Sequence, residues 1–413
     1  MIIPAIELRA GKVVSALADG SYRIHDDDPV ELARALYRIG EIAVIDLDAA
    51  QDTGDNLDLI RKICRVAECR VGGGIRDEQR GDRLLRAGAK QLIVGTSADE
   101  ELLARFPRKK VVVAMDIQDG RVVHQGWSKE TDIDPVDLAT RLREHCAGFL
   151  YTLVGHRAQM EVQELQRFEQ LKSALPGHRL TAAGGFSTVE DLRELDRMGL
   201  DGQVTYGRSP CGTDLAQAFV AVLDFETSNG LLPVVVQDST GQVLSLMHAN
   251  RDAVLMSVQT GMATYWSAGQ GKIFTKGQSS GNSQDVITVR PDCMRGALLF
   301  TVKPKGPSCH LGRYSCFDDI SYNLHRIEQL MQDRKSGEDP RKSYTQLMLA
   351  DRQAIKERIR EEAESLAKAG SSDEVLWETA DLLYFVMLNL VHENLSLDDV
   401  NRELRGRAGR RRS

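Results

Sequence analysis

A regular alternation of short apolar runs and amphipathic segments over residues 1 to about 222 constrains the fold more than any other feature of this chain. The amphipathic segments include residues 29–38, 77–86 and 189–197. Parallel strands need crossover helices between them, so eight strands that alternate with helices predict a closed (β/α)8 barrel, a TIM-like fold. A doubly wound open sheet is the alternative. The eight predicted strands lie at residues 2–6, 42–47, near Val71, and at 92–94, 111–115, 149–154, 180–183 and 203–206.

Glycines follow the predicted strands in both halves of this region. They are Gly72, Gly73, Gly74 and Gly95 with Thr96 in the first half, and Gly184, Gly185 and Gly207 with Arg208 about 112 residues later. Bare backbone N–H groups at the start of a helix can hold a phosphate. The repeat therefore predicts a duplicated half-barrel with two phosphate sites. The alternative is that these glycines only form tight turns between strand and helix.

The pattern changes at residues 225–230, where a polar segment that ends in glycine marks a boundary. Apolar runs at 234–237 and 243–247, separated by a turn from Asp238 to Gly241, predict a β-hairpin. Residues 250–261 are predicted to be helical, and residues 264–267 to form a strand. This region is therefore predicted to be α+β with a mostly antiparallel sheet.

Three of the seven cysteines, Cys293, Cys309 and Cys316, fall within 24 residues, and His310 directly follows the second. Clustered cysteines in a cytosolic chain more often bind a metal than form disulfides. Three thiolates that leave a fourth position open are what a catalytic zinc needs, because that position holds the water it acidifies. The alternative is that these cysteines are small buried apolar residues.

Residues 320 to 410 are predicted to be nearly all helical, with helices at 320–334, 343–348, 355–369, 375–392 and 397–404. Glu361 and Glu362 lie on one of these helices, and Glu378 and Asp381 lie on the next. Spacings of three and four place acids on one helical face, where they repel unless a cation joins them. Carboxylates are the ligands that magnesium prefers, so a magnesium site is predicted. A solvated charged face is the alternative.

Length and composition limit the remaining possibilities. A chain of 413 residues predicts two to four domains, and a net charge of −7 argues against nucleic-acid binding. No apolar run reaches 18 residues, and the start of the chain lacks the features of a signal peptide. We therefore expect a cytoplasmic protein with reduced thiols that neither binds nucleic acid nor spans a membrane.

Short motifs around the cysteines carry a family resemblance. They are Lys276-Gly277, Ser280-Gly281-Asn282, Asp292-Cys293, Gly306-Pro307, Cys309-His310 and Ser315-Cys316-Phe317. Residues 231 to about 319 thereby resemble phosphoribosyl-AMP cyclohydrolase of histidine biosynthesis. The resemblance implies a zinc-dependent homodimer that opens the adenine ring of its substrate by hydrolysis.

That resemblance also implies roles for individual residues. The three cysteines would bind zinc across the dimer interface, and His310 would take part in catalysis. Lys276, Ser280, Gly281 and Asn282 would bind the substrate. The family normally holds magnesium with three carboxylates, but Met294 and Gly296 replace two of them and only Asp292 remains. Residues 267–272 also lack the arginines that face the substrate in the family.

The helical segment carries a second set of motifs. They are Ser343-Tyr344-Thr345, Arg358-x-x-Glu361-Glu362-Ala363 and Glu378-x-x-Asp381-Leu-Leu-Tyr384. These resemble phosphoribosyl-ATP pyrophosphohydrolase, an all-α magnesium enzyme. The resemblance makes Glu361, Glu362, Glu378 and Asp381 both magnesium ligands and catalytic residues. Ser365 replaces a further family glutamate, and Phe385 replaces a histidine.

The barrel resembles the phosphoribosyl isomerase of the fourth histidine-pathway step, whose substrate carries two phosphates. The matching positions are Asp46-Leu-Asp48, residues 71–76, Asp116 and Gly126-Trp127. The two catalytic aspartates of that family do not match, because Glu7 and Arg157 stand in their places. Isomerisation needs a proton donor and a proton acceptor. We therefore expect a degenerate barrel that binds phosphate or serves a structural role.

Three domains are thus predicted, at residues 1–225, 229–320 and 321–410. The leading hypothesis is a bifunctional hydrolase for the second and third steps of histidine biosynthesis that acts on phosphoribosyl nucleotides. It would be a homodimer through its cyclohydrolase and helical domains. The alternatives are that only one hydrolase domain is active, or that the chain is a non-catalytic scaffold that binds phosphoribosyl nucleotides.

Overall fold

The computed structural model describes residues 1–17, 21–124, 129–154, 162–184, 188–207, 215–317, 322–337 and 343–407. The chain divides into two compact units, Met1–Phe317 and Asp318–Ser413. The first unit contains both the predicted barrel and the predicted α+β domain. The second unit is helical.

Eight parallel strands close into the predicted barrel. In chain order the strands of this region are β1 (Ile2–Arg9), β2 (Lys12–Ala16), β3 (Tyr22–His25), β4 (Ile42–Asp46), β5 (Cys69–Gly72), β6 (Gln91–Val94), β7 (Val111–Gln118), β8 (Arg121–His124), β9 (Lys129–Glu130), β10 (Gly148–Leu153), β11 (Arg179–Ala183) and β12 (Asp201–Thr205). The barrel order is β10-β11-β12-β1-β4-β5-β6-β7, and β10 pairs back to β7. This closure confirms the barrel and excludes the open sheet.

Two hairpins extend the barrel, and the sequence analysis did not predict them. Strands β2 and β3 continue antiparallel from β1, and β8 and β9 continue from β7. The turn from β7 to β8 is Asp119-Gly120, and both residues have positive φ angles of 48° and 78°. Asp-Gly is a strong hairpin signal because such turns need a left-handed backbone at both positions.

Helices surround the barrel strands and begin at polar caps. Their bounds are α1 (Pro29–Tyr37), α2 (Leu47–Ala50), α3 (Leu57–Val66), α4 (Glu78–Arg86), α5 (Glu100–Ala104), α6 (Pro135–Leu142), α7 (Val162–Ala174), α8 (Val189–Arg197) and α9 (Leu215–Ala221). Asp28 accepts hydrogen bonds from the first turn of α1, and Thr188 and Asp191 form a capping box on α8. A small apolar cluster that includes Ile3, Ala43 and Val112 forms a separate core of buried residues among the strands.

The α+β region forms a six-stranded sheet. Its elements are β13 (Leu232–Asp238), β14 (Val243–Ala249), α10 (Arg251–Thr260), β15 (Thr264–Ser267), β16 (Lys272–Thr275), β17 (Gln284–Pro291) and β18 (Leu298–Pro304). The strand order is β16-β15-β14-β13-β18-β17, and only the β13–β18 pair is parallel. The predicted hairpin is β13–β14. Asn250 caps α10, and Gly261 ends it with a φ of 74°.

The second unit contains five helices in its described part. They are α11 (Leu324–Ser336), α12 (Tyr344–Ala350), α13 (Arg352–Lys368), α14 (Ser372–His392) and α15 (Leu397–Arg407). Their core includes Met331, Ile355, Phe385 and Leu388. Helices α13 and α14 are joined by a loop of three residues, which makes them antiparallel neighbours. Within the described ranges, no helix has the length and apolarity that a membrane span requires.

Candidate functional sites

Three acids converge where α13 and α14 face each other. One carboxylate oxygen from each of Glu362, Glu378 and Asp381 lies within 4.8 Å of the other two. Glu362 is buried, and the other two are half-buried. Among the described residues, this is the one group of three or more potential metal ligands that meets this distance. Three converging carboxylates suit a hard divalent cation, so the donor set fits the expected magnesium.

Arg358 supplies the positive charge beside these acids. Its guanidinium pairs with Glu362 one helical turn later, donates to Glu361 at 2.8 Å and lies 4.9 Å from the ring centre of Phe385. Burial alone would lower the pKa of Arg358, but the two carboxylates hold it above its usual value. The sequence analysis quoted Arg358 as part of a motif but gave it no role. Its spacing of four residues to Glu362 was the available signal.

Glu361 lies outside the three-acid group, although the sequence predicted it as a ligand. Its side chain is 60% exposed and accepts a hydrogen bond from Arg358. Successive residues on an α-helix are rotated by about 100°, so Glu361 and Glu362 cannot both point the same way. Ser365 is half-buried, and the neighbouring Glu364 is exposed and lies 3.9 Å from Lys368. The structure therefore brings together three of the four predicted acids.

Two of the three predicted zinc thiols lie together in one chain. The Cys309 and Cys316 thiols are hydrogen-bonded to each other, and the Leu311 amide donates to Cys309 at 3.4 Å. This amide lowers the pKa of Cys309, whereas burial and the neighbouring Cys309 raise the pKa of Cys316. Cys293 is exposed on the loop between β17 and β18 and does not converge with the other two within the described chain. One chain therefore fits only part of the expected zinc site.

The residues predicted to bind the cyclohydrolase substrate lie on the loop between β16 and β17. Lys276 donates from Nζ to the Ser308 carbonyl at 2.7 Å, which ties this loop to the segment that carries Cys309. Gly281 donates to the Gly277 carbonyl at 2.8 Å, and Ser280 is exposed. Asn282 lies against Gly306, where a Cβ atom would come within 2.5 Å of its side-chain oxygen.

The two other predicted residues of this region have different surroundings. His310, the predicted catalytic residue, is exposed. Asp292, predicted to bind magnesium, caps its own loop by accepting from the amides of Gly296 at 2.9 Å and Ala297 at 3.1 Å. Asp292 belongs to no converging group of potential metal ligands in the described part of the chain.

Close neighbouring atoms leave little room for a side chain at four of the barrel glycines. A Cβ atom would lie 2.2 Å from the Asp46 carbonyl oxygen at Gly73, and 2.3 Å from the Ala49 carbonyl oxygen at Gly74. At Gly184 a Cβ atom would lie 2.2 Å from the Leu153 carbonyl oxygen, and at Gly207 it would lie 2.5 Å from Cε1 of the His25 ring. These contacts support the tight-turn alternative at the four positions.

Gly95 differs from these glycines, because nothing lies within 4 Å of a Cβ atom placed there. With Thr96, Asp116 and Arg141 it lines a cavity of about 40 Å³. Gly185, Arg208 and Arg157 lie outside the described residues. Phosphate binding by the barrel stays a prediction.

Three family models match the chain in succession. The model of histidine biosynthesis protein matches residues 1–209, that of phosphoribosyl-AMP cyclohydrolase matches residues 245–318, and that of phosphoribosyl-ATP pyrophosphohydrolase matches residues 324–408. The first of these covers more than half of the 413 residues. The chain belongs to the histidine biosynthesis protein family.

Individual relatives named as histidine biosynthesis proteins match somewhat less than half of the chain. The bifunctional protein HisIE of Pyrococcus furiosus is 38% identical over 198 residues, which are 45% of this chain and 95% of that protein. HisIE of Escherichia coli K12 is 36% identical over 193 residues, again 45% and 95% of the two chains. The histidine biosynthesis trifunctional protein of Kluyveromyces lactis is 35% identical over 178 residues, or 43% of this chain and 22% of that protein.

Proposed function

We propose that this chain is a bifunctional hydrolase of histidine biosynthesis, which hydrolyses phosphoribosyl-ATP to phosphoribosyl-AMP and pyrophosphate and then opens the adenine ring of phosphoribosyl-AMP. The convergence of Glu362, Glu378 and Asp381 carries this proposal. The succession of the two hydrolase models, and the 95% coverage of bifunctional relatives, support it. The proposal includes a cytoplasmic location and phosphoribosyl nucleotides as the substrates.

The first reaction is assigned to the helical unit. Water attacks a phosphate of phosphoribosyl-ATP and the bond to pyrophosphate breaks. Magnesium, when bound, would neutralise the charge that collects on phosphate oxygens. Glu362, Glu378 and Asp381 would hold that cation, and their carboxylates would orient the water. Arg358 holds Glu362 in place through their ion pair.

The second reaction is assigned to the six-stranded sheet region. Zinc, when bound, would acidify the water that attacks the adenine ring. Cys309 and Cys316 supply two thiols from one chain. Cys293 of a second copy completes the set, which makes a homodimer part of the proposal. The exposed Leu376 and Trp377 on α14, at 71% and 72%, offer a second apolar contact between copies.

A second candidate function has one hydrolase active alone. The departures around Cys293 favour it, because Met294 and Gly296 stand where the related cyclohydrolases carry acids. Arg295, between them, pairs with Asp196 of the barrel. In that case the helical unit would release pyrophosphate and phosphoribosyl-AMP would accumulate.

A product assay on the full chain separates these candidates. With phosphoribosyl-ATP, magnesium and zinc, we expect pyrophosphate first and the ring-opened product afterwards. Accumulation of phosphoribosyl-AMP would support the second candidate, and no turnover at all would support the scaffold. We expect no turnover of the fourth-step isomerase substrate in the same preparation, because Glu7 and Arg157 do not provide the required acid–base pair. Measurable isomerisation would contradict the degenerate barrel.

A further inference from the structure

The loop between β17 and β18 is held in an unusual backbone conformation. Arg295 has a φ of 61°, in the left-handed region that side chains other than glycine rarely adopt. Such a residue persists when its surroundings determine its conformation. The Asp292 carboxylate closes the loop from within, by accepting from Gly296 and Ala297. Arg295 itself donates to the Asp292 carbonyl, from its amide at 3.2 Å and from Nη1 at 3.4 Å, and it also contacts the barrel.

Arg295 binds the barrel through both its side chain and its backbone. Its Nε donates to Asp196 Oδ2 at 3.0 Å and its Nη2 donates to Asp196 Oδ1 at 2.7 Å, which is a two-pronged ion pair. The Asp224 amide donates to the Arg295 carbonyl at 3.0 Å. Asp196 lies on α8 and also accepts from the Met1 amine at 3.2 Å. Both partners of the ion pair are mostly buried, at 21% and 15% exposure of their side chains.

A second set of contacts joins α1 of the barrel to the sheet region. Arg38, at the end of α1, donates from Nη1 to the carbonyls of Val258 at 3.0 Å and Gln259 at 3.1 Å, at the carboxyl end of α10. The Arg290 guanidinium lies 5.1 Å from the ring centre of Tyr37. With two attachment points far apart in sequence, the sheet region cannot turn freely on the barrel. This explains why the two predicted domains form one compact unit.

We propose that the barrel positions the cyclohydrolase region. Arg295 is the positioning residue, because its contacts with the barrel fix the conformation of the loop that carries Cys293. This proposal rests on the proposed function for its catalytic consequence. Cys293 lies two residues before Arg295, so the ion pair with Asp196 restricts where its thiol can be presented to a second copy. Arg295 touches no reacting atom and acts only through the loop.

Hydrogen–deuterium exchange on the full chain tests directly whether the Arg295–Asp196 ion pair stabilises the loop. Arg295→Met removes the ion pair but leaves the Asp196–Met1 contact, and we expect exchange of residues 292–297 to accelerate on the order of tenfold. Arg295→Lys keeps the charge and should recover part of the protection. Arg197→Met is the matched control. Arg197 is an exposed arginine on α8, next to Asp196, and it pairs with Glu194 instead of with the loop. Asp196→Asn should reproduce the effect of Arg295→Met from the barrel side.

The reaction rates give the second readout. We expect Arg295→Met to lower adenine-ring opening at least fivefold while pyrophosphate release by the helical unit stays unchanged, with partial recovery in Arg295→Lys. The positioning role is overturned if Arg295→Met leaves the exchange of residues 292–297 unchanged. It is also overturned if exchange accelerates while the rate of adenine-ring opening stays at the wild-type value. If the wild type opens no ring, the proposed cyclohydrolase function fails, and exchange alone decides whether the barrel positions the loop.

Discussion

Residue scale. The spacing of acids on two successive helices was enough to predict that Glu362, Glu378 and Asp381 would meet, because residues three or four apart share a helical face. The same spacing could not choose between Glu361 and Glu362. That choice depends on the rotation of α13 about its axis, which is set by packing of residues such as Ile355 into the helical core. The motifs predicted one zinc site from Cys293, Cys309 and Cys316. Within one chain Cys309 and Cys316 lie together, whereas the position of Cys293 depends on contacts remote in sequence.

The zinc site gives a prediction for a single residue. Purified protein should carry about one zinc per protomer, as expected for one catalytic site, and Cys309→Ser should remove it. Cys146→Ala is the control, because burial raises the pKa of that barrel thiol to about 12 and makes it a poor ligand. Metal analysis of both variants beside the wild type measures this. A wild type without zinc removes the basis of the cyclohydrolase assignment.

Element scale. The barrel strands were predictable because parallel strands buried on both faces are short, continuous apolar runs. The hairpins β2–β3 and β8–β9 were missed because they lie on the rim and include exposed residues such as Ile24. Asp119-Gly120 was the signal for one of them. Helix starts were displaced by a few residues, as at α13, which begins directly after its cap Asp351.

Helix α14 gives a prediction for an element. Its exposed Trp377 should be buried against a second copy, so Trp377→Gln should weaken dimerisation by at least about 30-fold, since buried tryptophans dominate many interfaces. Asp373→Asn, at the exposed start of the same helix, is the control and should leave the molar mass of the dimer in solution unchanged. Light scattering across a dilution series measures the change. A wild type that is monomeric at all concentrations would contradict the homodimer.

Whole-molecule scale. Three domains were predicted, and the structure groups the barrel and the sheet region into one compact unit, with the helical region as a second unit. The contacts that join them are charged side chains far apart in the chain, as with Arg295 and Asp196 at a separation of 99 residues. A single sequence gives no means of pairing such residues. Family models match the barrel and both hydrolase regions, but the contacts between the barrel and the sheet are what support the positioning role proposed for the barrel.

Release of pyrophosphate from phosphoribosyl-ATP by the full chain, measured across a magnesium titration, tests the central claim most directly. We predict magnesium-dependent release in which Asp381→Asn lowers the rate at least about 100-fold, the scale of losing a positioned charged group. Ser365→Glu, which adds an acid three residues after Glu362 on α13, should lower the magnesium needed for half-maximal rate. Glu364→Gln, on the exposed face of α13, should change neither quantity. A wild type that releases no pyrophosphate at any magnesium concentration would contradict the assignment of the helical unit as a hydrolase.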